Sequence, residues 1–155
     1  PVDKWYHQDA QILNTKGFLY DAIITSPTYG NRMADHHNAK DASKRITYTH
    51  RYGSKLTEGN TGVLHFGSKY QEKHIAIFRH LLTLLKESSI VMVNVSDFIR
   101  KGEVVGVVAW WKEMLEGLGL DFIEEVCIET PRMRFGANSE KRVDGESLLI
   151  FKKGL

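Results

Sequence analysis

Residues 20–32 read YDAIITSPTYGNR, and the fold and the chemistry of the chain both turn on them. A short apolar run that follows Gly17 and is stopped by Pro27 predicts a strand over Tyr20–Ser26. Its apolar residues are consecutive rather than alternating, which predicts burial on both faces, as in a parallel sheet. The strand then runs into Thr25-Ser26-Pro27-Thr28-Tyr29-Gly30-Asn31-Arg32. Proline ends the ladder because it has no N–H, and Gly30 permits a sharp backbone turn.

Outward from this point the pattern alternates. Asn31 to about Ser68 is polar, without sustained period, and carries Gly53, Gly59, Gly62 and Gly67. It is far longer than a routine connection, so it reads as a lid or binding insertion. From Lys69 to Lys86 the spacing predicts a helix with Tyr70, His74, Ile77, Phe78, Leu81, Leu84 and Leu85 on one broad face. Ser89–Ser96 (SIVMVNVS) predicts a second buried strand. A turn at Lys101-Gly102 leads into a predicted helix over Glu103–Leu118, striped by Val104, Val107, Val108, Trp111, Met114, Leu115 and Leu118 and stopped by Gly119. Phe122–Glu129 and Glu146–Lys152 are the third and fourth strands. The Pro131–Gly145 loop has no room for a helix, so these two should pair antiparallel. The expected class is α/β: the second half of a doubly wound sheet, closed by an antiparallel hairpin, in one domain over residues 1–155.

Composition agrees. In 155 residues, 42% hydrophobic and 26% charged, there is enough apolar material for one core and too little chain for two. No apolar stretch approaches the ~20 residues of a membrane helix, and no basic-then-apolar leader opens the chain, so a cytoplasmic protein is expected. The single cysteine, Cys127, excludes an internal disulfide and a thiolate zinc cluster, and its place in a strand makes it a small core residue. Lys+Arg 21 against Asp+Glu 19 leaves only +2, so a polyanionic partner must be met by a local patch. The histidines lack metal-site spacing, and no metal is expected. Trp111 reads as core packing, and Asn94 and Asp97, at a strand end near the cofactor edge, read as a turn and helix cap or as ligand contacts.

Open α/β sheets bind ligands beyond the carboxyl ends of their parallel strands. There this chain offers a side-chain acceptor (Ser26), a backbone carbonyl (Pro27) and a flat π surface (Tyr29), a set suited to a planar ring bearing an exocyclic amine. Such an amine is a poor nucleophile because its lone pair is delocalised into the ring. Two acceptors drawing on its N–H groups favour a pyramidal nitrogen whose lone pair can meet an electrophile, most usefully if the pull grows in the transition state. Stacking on the aromatic is worth ~1–3 kcal/mol per base.

TSPTYGNRM after an apolar strand resembles the Ser-Pro-Pro-Tyr form of the catalytic motif of amino-methyltransferases that modify DNA bases. The likeness continues through VMVNVSD and RVDGE and covers nearly the whole chain, with DHHNAKDASKRITYTHRYG as an insertion and TPRMRFGAN as a later pocket loop. The resemblance implies a Rossmann-like class I methyltransferase sheet and S-adenosylmethionine as methyl donor. It implies transfer to the exocyclic amine of a flipped cytosine or adenine, with serine at the first motif position leaning towards cytosine. Ser26, Pro27 and Tyr29 would contact the base, and Asp9 in HQDAQIL would lie near the adenine of the cofactor.

Two departures stand out. Thr28 replaces the second proline of the motif. The glycine-rich cofactor loop of the family precedes the catalytic strand, whereas only nineteen residues precede Tyr20 here and none forms a Gly-x-Gly turn. The chain, which opens with Pro1, therefore reads as the catalytic C-terminal half, with the cofactor-binding half missing and supplied upstream or by a homodimer or partner chain. Alone it should bind the methyl donor weakly or not at all.

Two further segments suit DNA. In the loop after the third strand, Phe135 could wall a flipped-base pocket while Arg132 and Arg134 meet phosphates. In the basic insertion at about 31–68, Lys44, Arg45 and Arg51 with Tyr48 combine charge with stacking. An RNA or protein-glutamine methyltransferase, and a non-catalytic nucleic-acid-binding or scaffold subunit, are the alternatives.

Overall fold

The structure, a computed structural model, describes residues 10–28, 30, 59–130 and 143–154. Its contacts fall into two compact units, Pro1–Pro27 with His74–Leu155, and Thr28–Lys73. The larger unit holds a four-stranded sheet. Its strands are β1 (Tyr20–Thr25), β2 (Leu85–Val95), β5 (Leu120–Glu129) and β6 (Gly145–Lys153). Helix α1 spans Ser68–Thr83 and helix α2 spans Val107–Gly117.

The sheet order is β1-β2-β6-β5. β1 pairs parallel with β2, as the consecutive apolar run predicts, and β6 pairs antiparallel with both β2 and β5. The closing strand thus lies between β2 and β5 rather than outside them. Two antiparallel pairings in succession leave β5 parallel to β2 and β1. The carboxyl ends of all three parallel strands therefore share one edge, and β6 begins there.

One face of this sheet is core. Val91, Val93, Val95, Leu149 and Phe151 are fully buried, and the register sets Val91 against Phe151 and Val93 against Leu149. Helix α2 packs on β5 and β2, presenting Val107, Trp111, Met114 and Leu115 at helical spacing. Trp111 is packed as expected, edge-on to His74 and Phe78 with ring centroids 5.2 Å away in each case. Buried positions on α1 recur every four residues, at Tyr70, His74, Phe78 and Leu82.

Burial of β1 on both faces is not found. Ile24 is 75% exposed, and the strand pairs only with β2 among the described residues. A consecutive apolar run reports affinity for a parallel partner, not how many neighbours flank the strand. Cys127 is likewise exposed, because β5 lies at the other margin of the sheet.

Element boundaries shift in two places. Helix α1 stops at Thr83, and Leu85 already belongs to β2, so Leu84 and Leu85 leave the predicted helix face. The helix predicted from Glu103 begins instead at Val107. Glu103–Val105 forms β4, paired antiparallel with β3 (Phe98–Arg100). Lys101 and Gly102 both adopt positive φ, 52° and 82°, as a two-residue primed hairpin turn requires. Val104 is 61% exposed on that hairpin and is no part of the helix stripe. The N-terminus of α2 has no side-chain cap of its own; Asp97, just past β2, accepts the Val108 N–H at 2.8 Å. Asp97 is therefore the helix cap the sequence indicated. At the other end Gly119 takes φ 89° and stops the helix as expected. No helix among the described residues is long and apolar enough to cross a membrane.

Candidate functional site

The carboxyl edge of the parallel strands is built in the larger unit by hydrogen bonds among β1, β2 and β6. Ser26 leaves β1 one residue past the Thr25–Val93 pair, and its Oγ donates to the Asn94 backbone carbonyl at 3.4 Å. Pro27 follows, half-buried. No described residue donates a backbone N–H to the Pro27 carbonyl. One strand further along, the Asn94 side-chain amide donates to Glu146 Oε2 at 2.7 Å, and the Ser96 hydroxyl lies 2.9 Å from both the Asp97 and Gly145 carbonyls, its one proton shared between them. The Thr130 N–H donates to the Asp144 carbonyl at 3.0 Å, holding the two ends of the β5–β6 connection together at this edge. Gly145 sits where an added Cβ would lie 3.2 Å from the Ile128 carbonyl.

The edge therefore presents acceptors in the plane of a rigid sheet. A hydroxyl has one proton and two lone pairs. With that proton on the Asn94 carbonyl, Ser26 Oγ meets any additional donor as an acceptor. The Pro27 carbonyl is the next acceptor along the chain. Asp97 and Glu146 bring carboxylates to the same region, committed to the α2 N-terminus and to Asn94.

Searches by sequence found no matching family model and no matching curated protein. By structure, the chain is similar to a crystal structure of a Thermus thermophilus protein provisionally described as a DNA modification methylase. The TM-score is 0.56 at 14% identity, over 96% of this chain and 52% of that one. The chain has a methyltransferase-like fold. A second crystal structure of the same Thermus protein, complexed with S-adenosyl-L-methionine, aligns over 56% of this chain and 38% of that one at 16% identity, with a TM-score of 0.46. The methyltransferase-like chain thus spans about half the length of the protein it resembles.

In the smaller unit, Thr28–Lys73, the segment after the motif is pinned from α1. The Tyr70 hydroxyl donates to the Thr28 carbonyl, and the Phe66 N–H donates to the Gly30 carbonyl at 2.7 Å. The two aromatic rings pack tilted, centroids 5.4 Å apart. Gly30 has φ +72°, and a Cβ there would meet the Phe66 backbone at 2.7 Å. A close approach and a left-handed φ thus coincide at the glycine that the sequence marks as a turn. We expect Gly30→Ala to cost about 1–3 kcal/mol locally, read as lost hydrogen-exchange protection of the Phe66 amide. Unchanged protection would overturn the assignment of Gly30 to this contact. Thr28, which replaces the second proline, has a buried Oγ1 with no hydrogen-bond partner among the described residues.

Of the residues singled out in the sequence, Ser26 and Pro27 come together at the edge. Tyr29, Asp9, Lys44, Arg45, Tyr48, Arg51, Arg132, Arg134 and Phe135 lie outside the described residues. The sequence reading missed Glu146 and gave Tyr70 only a packing role. The aromatic four residues past Phe66 was the available signal for the second. Glu146 closes the RVDGE stretch, which marks it by resemblance without giving it a role.

Proposed function

We propose that this chain is the catalytic part of an S-adenosylmethionine-dependent DNA methyltransferase that modifies the exocyclic amine of a flipped cytosine or adenine. The observation that carries this reading is the place of Ser26-Pro27. The motif leaves a parallel strand at the carboxyl edge of a methyltransferase-like sheet, with the Ser26 proton given to Asn94 and the Pro27 carbonyl next in line. Ser26 Oγ and the Pro27 carbonyl accept the two amine N–H groups and draw the nitrogen towards a pyramidal geometry. Tyr29 stacks on the base, and Phe135 closes the pocket from the β5–β6 connection. Arg132 and Arg134, with Lys44, Arg45, Arg51 and Tyr48 of the insertion, contact the DNA.

When bound, S-adenosylmethionine supplies the electrophilic methyl group. Among the described residues the motif supplies the amine side of the reaction, through Ser26 Oγ and the Pro27 carbonyl, while Asp97 and Glu146 each place one carboxylate oxygen in the fold's own hydrogen bonds. The donor's polar groups fall to residues outside the described ones, with Asp9 near its adenine.

The test is methyl transfer by the full gene product. With methyl-labelled S-adenosylmethionine and duplex DNA, label is expected in N4-methylcytosine or N6-methyladenine after digestion to nucleosides. Duplex binding should weaken steeply between low and moderate salt. Label in RNA or in glutamine instead would replace DNA as the substrate, and intact DNA binding without transfer would make the chain a scaffold subunit.

A further inference from the structure

We infer that Tyr70 is a positioning residue for the turn that carries Tyr29, holding the Thr28 carbonyl from the first turn of α1. The inference deepens the amine-methylation reading above and rests on it. Tyr70 is fully buried, and its hydroxyl donates directly to the Thr28 carbonyl. Two residues further on, the Gly30 carbonyl accepts from the Phe66 N–H at 2.7 Å. The two anchors belong together, because the Phe66 and Tyr70 rings pack with centroids 5.4 Å apart. All four residues lie within the compact unit Thr28–Lys73. The chain is thus held one residue before and one residue after position 29.

A peptide group is planar and turns as one body, so a bond to the Thr28 carbonyl orients the peptide that leads into residue 29. On the far side, Gly30 takes φ +72° and its backbone lies close against Phe66, which leaves little freedom there. Without the first anchor the turn could swing about Thr28, and a stacking ring serves catalysis only in the arrangement that faces the base. A buried tyrosine suits this task. Packing already locks its ring, so the hydroxyl is aimed in advance, and a phenol away from water needs an acceptor. The sequence shows why the restraint is wanted. Thr28 stands where the motif it resembles has a second proline, and threonine leaves free the φ that proline would lock. The threonine does not tie down the turn through its own side chain, since its buried Oγ1 has no hydrogen-bond partner among the described residues. The restraint comes instead through its carbonyl, from α1.

The experiment uses the full gene product as wild type, Tyr70→Phe, Tyr29→Ala and the double variant Y29A/Y70F. Phenylalanine keeps the buried ring and its contact with Phe66 and removes only the hydroxyl. In Y70F, kcat for DNA methylation should fall about fivefold, the weight of one intramolecular hydrogen bond, with KM for DNA within about twofold. The double variant should be no slower than Y29A alone, since Tyr70 acts only through residue 29. A second readout needs no turnover: the Hα–Hβ scalar couplings of Tyr29 should report one rotamer in wild type and averaging in Y70F. Multiplying effects in the double variant, or Tyr29 couplings unchanged in Y70F, would overturn the proposal. Averaged Tyr29 couplings in Y70F, in a protein whose wild type transfers no methyl group, would support the positioning and sink the methyltransferase reading, which keeps the two apart.

Discussion

On the proposed reading, replacing Ser26 by alanine should lower methyl transfer to duplex DNA by about 100-fold in the full gene product, while duplex affinity stays within about twofold. The magnitude is that of removing one preorganised polar partner from a group whose charge changes in the transition state. The amine N–H groups become more acidic as the nitrogen bonds to carbon, so an acceptor on them gains strength along the reaction coordinate. It should therefore act on kcat more than on KM. On the same reading the phosphate contacts fall to the basic residues of the insertion and the later loop, so duplex affinity should be spared. The measurement is steady-state labelled transfer beside a binding titration at fixed salt. A Ser26→Ala protein that methylates at the wild-type rate would remove the serine from the chemistry.

The second large effect concerns stability. Trp111→Ala should cost about 3–5 kcal/mol, the range for deleting a fully buried aromatic, seen as a lower urea midpoint with an unchanged slope. Trp111 is fully buried and meets His74, Phe78 and Trp110 edge-on, with centroids 5.2–5.3 Å away. Its ring joins the two helices through His74 and Phe78. The damage reaches the site indirectly. Helix α2 is capped by Asp97, two residues past the end of β2, so loosening the helix loosens the strand end that carries Asn94. A loss below about 1 kcal/mol would show that the ring is not packed as described.

Local signals were the legible ones. The parallel pairing of β1 follows from an uninterrupted apolar run, the end of α2 from Gly119, and the antiparallel relation of β5 to β6 from a connection too short for a crossover. The misread hairpin shows where such signals compete. Val104 falls three residues before Val107 and so extends the helical stripe, but two consecutive left-handed residues at Lys101-Gly102 reverse the chain first. Sheet order was beyond reach for a different reason. Whether β6 lies inside or outside β5 depends on which strand margin it covers, and no residue of Gly145–Lys153 encodes that choice by its neighbours in sequence. The site divides in the same way. Ser26 and Pro27 are contiguous and readable as a motif, whereas Asn94 and Glu146 meet across a separation of 52 residues.

The interior place of β6 carries a consequence for synthesis. Until residues 145–153 have emerged from the ribosome, β2 and β5 have no bridge, and neither can complete its ladder. A nascent polypeptide stalled before that point offers the unpaired margins of β2 and β5 to its crowded surroundings at once. Chaperone occupancy on such translation intermediates should persist until β6 threads into the gap, and drop sharply once it does.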